Sequence, residues 1–260
     1  MARGVILAGG TGSRLQPLTR ITNKHLLPVY DRPMISWGVE AMVDAGLTEL
    51  MIITGGTHAG EFLRLLGNGH EYDVERLTYA YQERAGGIGE ALGLAERFSD
   101  GEPVVVLLAD NIFEYSLSPV VEEFCRNPVG ARLLLAEVED ENHLRHLGVA
   151  SFDADGAIVE ISEKPEIPPS SYAATGLYCF DATVFDKLRV IEPSARGELE
   201  ITDINNAYIA EGGMMYSTVT GYWGDAGESI DAYYNIVDLV RRNGAFKEFP
   251  RAMDPSGKAS

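Results

Sequence analysis

The stretch VILAGGTGSRLQPLT, residues 5–19, decides the fold expected for this chain. A short apolar run, typical of a strand, ends in a turn that contains Gly9, Gly10 and Gly12. Glycines at such a turn let backbone N–H groups approach phosphate oxygens without obstruction by side chains. The stretch matches neither the dinucleotide fingerprint nor the Walker A loop. The glycines alone are equally compatible with a phosphate loop and with a plain turn.

Two basic residues near this turn favour the phosphate interpretation. Arg14 follows the glycines, and its planar guanidinium can hold two phosphate oxygens at once and stays charged. Lys24 adds a compact charge in TNKHLLPVYDRPMI, residues 22–35. Either residue alone would be interpreted as a solvated surface side chain. Together, next to a glycine loop, they predict a clamp for a polyphosphate.

The charge distribution limits the partners of the chain. The formal net charge is −18, which disfavours nucleic acid and anionic membranes as partners. Residues 1–30 nevertheless carry four basic side chains and no acidic one. This segment could focus positive potential on a small anion, although chance clustering would give the same pattern.

Length and composition indicate a globular protein. The 260 residues are 45% hydrophobic and suffice for one large α/β domain or two small ones. We expect neither a signal peptide nor a membrane span, because no apolar run approaches the roughly 20 residues that a bilayer requires. Two cysteines, Cys125 and Cys179, make a disulfide framework unlikely to be needed, so we expect a cytoplasmic location.

Apolar runs alternate with helix-period segments in the first half of the chain. The predicted strands cover residues 4–8, 49–54, 77–81, 104–109 and 132–138. The predicted helices cover residues 33–45, 61–66, 88–98 and 119–126. This alternation predicts an α/β fold with a Rossmann-like, mixed, mostly parallel sheet sandwiched by helices.

The second half has shorter strand signals and two helices. Predicted strands cover residues 149–152, 158–161, 172–180 and 214–220, and predicted helices cover residues 201–211 and 229–242. We expect these elements to form an additional sheet packed beside the first layer, not an independent domain.

Two aspartates are candidates for metal binding. Asp110 directly follows the apolar run VVVLLA, so it points into the crevice at the carboxyl ends of the strands. A carboxylate there can hold Mg²⁺ together with substrate phosphates, although a capping role would also suit the position. Asp225, in GYWGDAGES, would by itself be interpreted as a turn aspartate.

Six motifs, taken in order, resemble the successive signatures of the sugar-1-phosphate nucleotidylyltransferases. They are LAGGTGSRLQPLT, NKHLLPVYDRPMI, LADNIF, EISEKPEIPPSSYAATGLYCFD, SARGELEITDIN and WGDAG. The likeness runs from about Gly4 to about Asn243 and is greatest to the members that use dTTP and glucose 1-phosphate. One glycine loop would be a weak signal, whereas six collinear motifs are a specific one.

The resemblance implies a reaction and a domain organisation. The phosphate of glucose 1-phosphate would attack the α-phosphorus of dTTP with Mg²⁺ as cofactor, giving dTDP-glucose and pyrophosphate. Residues 1–243 would form a single domain, in which residues 1–115 mainly bind the nucleotide and residues 116–228 mainly bind the sugar phosphate through the additional sheet. Residues 244–260 would be an extension with a flexible tail. A homo-oligomer, tetramer or dimer, is also implied.

The resemblance also implies roles for individual residues, carried over by position. The catalytic residues would be Arg14, Lys24 and Lys164. The nucleotide would be bound by Leu7, Gly9, Gly10, Thr11, Gly12, Ser13, Gln82, Gly87 and Asp110. The sugar phosphate would be bound by Asn111, Gly148, Glu163, Lys164, Ala174, Tyr178 and Arg196. The metal ligands would be Asp110 and Asp225.

Departures from the family pattern leave alternatives open. Ala109 replaces a usual glycine, and Gly224 and Ala226 on either side of Asp225 change the volume of the sugar pocket. A UTP-using or broader sugar-1-phosphate enzyme is therefore one alternative, and a non-catalytic nucleotide-sugar binder is another. The longer family members continue beyond the position of Asn243 with helices that build a regulatory site, which we expect to be absent or reshaped here.

Overall fold

The structure is a computed structural model that describes residues 2–10, 12–84, 86–194 and 197–248. Its strands are β1 (Arg3–Ala8), β2 (Pro28–Val29), β3 (Arg32–Pro33), β4 (Glu49–Gly55), β5 (Arg76–Gln82), β6 (Val104–Leu108), β7 (Asn111–Phe113), β8 (Ala131–Glu137), β9 (Gly148–Phe152), β10 (Ile158–Glu163), β11 (Tyr172–Phe180), β12 (Met214–Thr218) and β13 (Trp223–Asp225). Its α-helices are α1 (Met34–Asp44), α2 (Ala59–Leu66), α3 (Gly87–Gly93), α4 (Glu96–Ser99), α5 (Ser118–Arg126), α6 (Glu141–Leu144), α7 (Val184–Leu188), α8 (Ile201–Ala210) and α9 (Ile230–Asn243). Short 3-10 turns cover Ser13–Leu15, Lys24–Leu26, Gly56–His58 and His70–Tyr72.

One mixed sheet runs through the described part of the chain. Its main path follows the order β10-β9-β11-β6-β1-β4-β5, and β8 pairs with both β11 and β12. The strands β6, β1, β4 and β5 run parallel to one another, as expected from the alternation of strands and helices. The predicted α/β fold class is confirmed.

The strands of the second half extend this sheet and do not form the separate layer that we expected. The long strand β11 runs antiparallel to β6, with Leu177 opposite Leu107 and Phe180 opposite Val104. Its other edge carries β8, whereas β9 pairs at Ala173, on the same edge as β6 but nearer the start of β11, and β9 in turn carries β10. This arrangement satisfies the backbone groups on the free edge of β6, which a separate layer would have left unpaired.

Helices cover both faces of the sheet, so its central strands are buried on both sides. Along β1, the side chain of Ile6 packs in the core under α1, whereas those of Val5 and Leu7 pack in the core under α3. The central strand β6 alternates in the same way, with Leu107 on the first face and Val106 on the second. Successive side chains of a strand point to opposite faces of the sheet. Because both faces are covered by a core, every position of these strands needs an apolar residue, which explains the uninterrupted apolar runs.

A short antiparallel ladder connects the end of β6 with a distant part of the chain. Asn111 of β7 pairs with Asp225 of β13, and Phe113 pairs with Trp223. Gly224 between them has no room for a side chain, because a Cβ there would collide with Ile236 of α9. The ladder therefore brings the second candidate aspartate beside the end of β6.

Residues 244–248, the described start of the predicted extension, pack against the domain. The backbone N–H of Phe246 donates to the carbonyl of Phe113 at 2.8 Å, and the centroids of their two rings are 6.0 Å apart. The flexible tail predicted beyond this point lies in residues 249–260, outside the described residues. Within the described ranges, no helix has both the length and the apolar character to cross a membrane. The functional division of the domain stays a prediction.

Candidate active site

A cleft of about 380 Å³ opens where the parallel strands β1, β5 and β6 end, and residues from both halves of the chain line it. Ligands bind at this edge of open α/β sheets. Of the residues to which the resemblance assigns roles, the cleft brings together Leu7, Gly9, Gly10, Arg14, Lys24, Gln82, Gly87, Asp110, Asn111, Gly148, Glu163, Lys164, Ala174, Tyr178 and Asp225. Their individual roles stay predictions.

Two described residues of the predicted set, Gly12 and Ser13, do not line the cleft, and two others lie outside the described part of the chain. Thr11 and Arg196 lie outside the described residues. Ser13 is exposed and begins a 3-10 turn. Gly12 has a φ of 62°, and its carbonyl accepts a hydrogen bond of 2.7 Å from the Thr19 hydroxyl. Gly12 therefore serves to form the turn, because a side chain at this φ would strain the backbone.

A buried ion pair joins the opening loop to the end of β6. The Lys24 ammonium donates to the Asp110 carboxylate, and Asp110 is only 7% exposed. Burial opposes the charge on both groups. The Lys24 charge nevertheless holds the pKa of Asp110 below its usual value, and Asp110 and Asp225 raise the pKa of Lys24. Both side chains are therefore charged at neutral pH.

His25 lies next to this pair and is neutral. Its Nδ1 is 2.9 Å from Asn23 Oδ1, and its Nε2 is 4.0 Å from Asp110 Oδ2. Burial and the neighbouring Lys24 charge lower the pKa of His25 to about 3. A neutral imidazole therefore packs behind the Asp110 carboxylate without competing for it as a second cation.

The two aspartates converge on one point. A Cβ added at Gly227 would lie 2.6 Å from Asp110 Oδ2 and 3.1 Å from Asp225 Oδ1. The two carboxylates repel each other across this space. Burial, together with the negative charge of Asp110, therefore raises the pKa of Asp225 to about 7. Among the described residues, no group of three or more His, Cys, Asp or Glu could hold a metal ion. Two carboxylates nevertheless fit Mg²⁺, because substrate phosphates and water commonly complete its coordination.

Gly227→Ala tests how much space this convergence needs. The added methyl group would also lie 2.6 Å from Lys24 Nζ, so the ion pair or the loop that carries Asp225 must shift. We expect kcat to fall about tenfold to a hundredfold, because small displacements of aligned groups are costly. Gly60→Ala is the matched control, since nothing lies within 4 Å of a Cβ at that position. Equal kcat values in the two variants would contradict the expectation.

The cleft lining that follows β10 includes a lysine in an unusual conformation. Lys164 has a φ of 47°, in the left-handed region that residues other than glycine rarely adopt. Its Nζ donates to Glu163 Oε1 at 2.8 Å, and Glu163 Oε2 accepts a hydrogen bond of 2.8 Å from the Thr202 hydroxyl. The ammonium is thus held at the cleft by a carboxylate that is itself anchored to α8.

Asn111 orients other groups of the cleft. Its Nδ2 donates to Asp110 Oδ1 at 3.1 Å. Its Oδ1 accepts from the Gly176 N–H at 2.8 Å and from Trp223 Nε1 at 2.7 Å. The amide therefore links β6, β11 and β13 and fixes the orientation of the Asp110 carboxylate.

Several cleft residues had no role in the sequence interpretation, among them His25, Thr202 and Trp223. All three lie within the quoted motifs or beside them. Their contacts, however, join segments far apart in the chain, as Trp223 with Asn111 and Thr202 with Glu163 do. Periodicity reports which face of an element is buried, and it carries no signal for such pairings.

Comparisons with known proteins show the family to which the chain belongs. The family model described as nucleotidyl transferase matches residues 3–243. A glucose-1-phosphate thymidylyltransferase from an Actinoplanes species is 42% identical over 242 residues, which are 92% of this chain and 78% of that protein. The low-salt glycan biosynthesis nucleotidyltransferase Agl11 from Haloferax volcanii is 39% identical over 230 residues, 88% of this chain and 63% of that protein.

A solved structure has the same fold. A Bacillus anthracis protein assigned as a glucose-1-phosphate thymidylyltransferase, in complex with sucrose, superposes with a TM-score of 0.87 at 45% identity. The match covers 96% of this chain and 98% of that one. The family match over nearly the whole described domain, together with these relatives, identifies the chain as an enzyme of the nucleotidyl transferase family.

Proposed function

We propose that this enzyme transfers a thymidylyl group from dTTP to glucose 1-phosphate, giving dTDP-glucose and pyrophosphate. The observation that carries the proposal is one cleft lined by Arg14, Lys24, Asp110 and Lys164, in which Asp110 follows β6 and Lys164 follows β10, separated from β6 by β11 and β9 in the sheet order. Cations from separate strands suit two anionic substrates that repel each other and must nevertheless be brought into contact.

The proposed chemistry needs no nucleophile from the protein. An oxygen of the sugar phosphate forms a bond to the α-phosphorus of dTTP, and the bond from that phosphorus to the β-phosphate oxygen breaks. The departing pyrophosphate takes the electron pair, so the negative charge moves toward the glycine loop. We propose that Arg14 stabilises that charge and that Lys164 holds the attacking phosphate in line; both residues line the cleft.

We propose that Asp110 and Asp225 hold Mg²⁺ during this reaction. The ion would neutralise phosphate oxygens and so assist both alignment and charge stabilisation. The protein's own contribution is to orient the carboxylates, through Asn111 for Asp110 and through the Gly227 N–H, 2.7 Å from Asp225 Oδ1.

Thymine is the proposed base because two cleft residues suit it and because relatives named as thymidylyltransferases are similar to nearly the whole chain. Gln82 and Gly87 lie together in the cleft at the end of β5 and the start of α3. A UTP-using or broader enzyme remains the second candidate, since Gly224 and Ala226 alter the surroundings of Asp225. The cytoplasmic location and the homo-oligomer stay predictions.

A pyrophosphate-release assay tests the proposal. Purified enzyme with Mg²⁺ and glucose 1-phosphate is given dTTP, UTP, CTP or ATP in turn, and kcat/KM is measured for each. We expect dTTP to give the highest value. The same panel with galactose 1-phosphate and mannose 1-phosphate tests the sugar. Equal rates with UTP and dTTP would favour the broader enzyme, and no pyrophosphate from any pair would refute the proposed reaction.

A further inference from the structure

We propose that Glu90, which lies behind the cleft lining, fixes the orientation of the Gln82 side-chain amide and thereby selects a pyrimidine with an N–H at ring position 3. This inference rests on the proposed function and deepens it. Glu90 would be a positioning residue, because it acts on the nucleotide only through Gln82.

The first observation is that both N–H groups of the Gln82 amide have acceptors within the protein. Nε2 donates to the carbonyl of Gly87 at 3.2 Å and to Glu90 Oε1 at 3.3 Å. A primary amide has two N–H donors and no more. Neither N–H therefore remains to be offered to a ligand in the cleft.

The second observation is that both of these acceptors fix the polarity of the amide. A backbone carbonyl and a carboxylate can accept hydrogen bonds but cannot donate them. With the amide rotated by 180°, the Gln82 oxygen would face two acceptors, and a residue that is 9% exposed has little access to water as a substitute. The contacts therefore specify one of the two orientations.

The third observation is the position of the Gln82 oxygen. Oε1 lies on the side of Gly9, where an added Cβ would be 3.0 Å away, and both residues line the cleft. The group presented near the opening loop is thus an acceptor. A nucleobase bound there must supply a donor.

Glu90 is itself held in place. Its Oε2 accepts from Arg84 Nε at 2.9 Å, and Arg84 is largely exposed, with 83% of its side chain accessible. A side chain at position 86 would fall onto the Glu90 carboxylate, so Gly86 leaves the space that the carboxylate occupies. The loop before α3 is therefore shaped around this acid.

The chemistry of the bases then determines which nucleotide fits. Thymine and uracil carry an N–H at position 3 between two carbonyl oxygens, whereas cytosine has a bare nitrogen there. Where Gln82 Oε1 faces ring position 3, it accepts from the N–H of thymine or uracil and opposes the bare nitrogen of cytosine. A site built on hydrogen bonds rejects mismatched partners strongly, because its buried groups are left unpaired.

Binding of dTMP, dUMP and dCMP to the full-length enzyme in EDTA, measured by calorimetry, tests the inference without catalysis or metal. For the wild type we expect dTMP and dUMP to bind at least about tenfold more tightly than dCMP. In Glu90→Gln, the new neutral amide has the same shape but can donate to the Gln82 Oε1. The Gln82 side-chain amide can then rotate by 180°. We expect the ratio of dTMP to dCMP affinity to fall about tenfold, with the ratio of dTMP to dUMP unchanged.

Two further variants complete the design. Arg84→Met removes the exposed partner of Glu90 but not its contact with Gln82, so the dTMP to dCMP ratio should stay within about twofold of wild type. Glu90→Met, of similar length, removes the acceptor without adding a donor and should lower the ratio by a smaller factor. It replaces Glu90→Gln as the test if thermal melting shows that Glu90→Gln does not fold.

The outcomes separate this inference from the proposed function. An unchanged ratio in folded Glu90 variants, with the wild type still preferring dTMP over dCMP, would overturn the role of Glu90 and leave the thymidylyl transfer standing. A wild type that binds dCMP as tightly as dTMP would overturn both.

Discussion

Replacing Asp110 by asparagine is expected to lower kcat/KM for nucleotidyl transfer about a thousandfold. Asparagine has the same shape but lacks the charge, so the variant removes a carboxylate from the point where Asp110 and Asp225 converge. Titration with Mg²⁺ at fixed substrate concentrations should show a raised half-saturation concentration and a lower maximal rate. A variant with wild-type kcat and Mg²⁺ dependence would contradict the role proposed for Asp110.

The same substitution is expected to affect stability, which must be separated from catalysis. Asp110→Asn leaves the mostly buried Lys24 ammonium without its main counter-charge, and breaking a buried ion pair costs up to about 3–5 kcal/mol. We expect a smaller loss of unfolding free energy, about 2 kcal/mol, because Asp225 also stabilises the Lys24 charge.

The double variant Asp110→Asn with Lys24→Met makes that separation. It removes both buried charges, so urea unfolding should return most of the lost unfolding free energy. Activity should stay as low as in the single variant or fall further, because neither the carboxylate nor the ammonium is present. Recovery of activity together with stability would mean that Asp110 serves the fold only.

The sequence predicts the central elements of the fold because their signals are local. The predicted strand at residues 172–180 has the same bounds as β11. The run is largely apolar and contains three aromatic residues, a composition typical of a buried strand. The sequence does not indicate which strand pairs with β11. Whether β11 adds to β6 or begins another layer depends on which edge is free, and that is a property of the assembled sheet.

Short elements and interrupted helices are the parts that the pattern could not supply. The strands β7 and β13 have three residues each, too few for any periodicity to be recognised. The single helix predicted for residues 88–98 is found as α3 and α4, with the turn at Leu94 and Ala95. Gly93, the last residue of α3, is a poor helix former, so the local sequence itself favours an interruption that the apolar pattern of residues 88–98 did not indicate.

The candidate site divides in the same way. Asp110 was predicted from its place at the end of an apolar run, because strand ends of a parallel sheet share one edge. Asp225 was supported by resemblance alone, since its approach to Asp110 depends on the β7–β13 ladder. The contact of Gln82 with Glu90 was not predicted at all, because a polar residue on a helix carries no record of its partner.

Replacing Lys164 by glycine is expected to give an enzyme that is inactive but no less stable than the wild type. The left-handed conformation of Lys164 costs of order 1 kcal/mol for a residue with a Cβ, and glycine adopts it without that cost. The ion pair with Glu163 is about one-third exposed on each side, so its loss should cost less than about 1 kcal/mol. The two effects nearly cancel, and we expect the free energy of unfolding to be unchanged or slightly raised.

Activity should respond very differently. Without the ammonium, the charge proposed to hold the attacking phosphate is lost, and kcat should fall about 100- to 1,000-fold. The affinity for dTTP, measured without glucose 1-phosphate, should stay within about twofold, because Lys164 is proposed to contact the other substrate. A parallel loss of dTTP affinity would assign the lysine to the nucleotide instead.

Lys164→Ala is the matched control, since it removes the same ammonium but keeps a Cβ in the left-handed conformation. We expect the same loss of kcat and a free energy of unfolding about 1 kcal/mol lower than that of Lys164→Gly. Equal losses of kcat in the two variants would assign the activity to the ammonium, and their difference in stability would measure the backbone strain. If the glycine variant retained wild-type kcat, the strained lysine would have no part in the reaction, and the conformation would need a structural cause in the turn after β10.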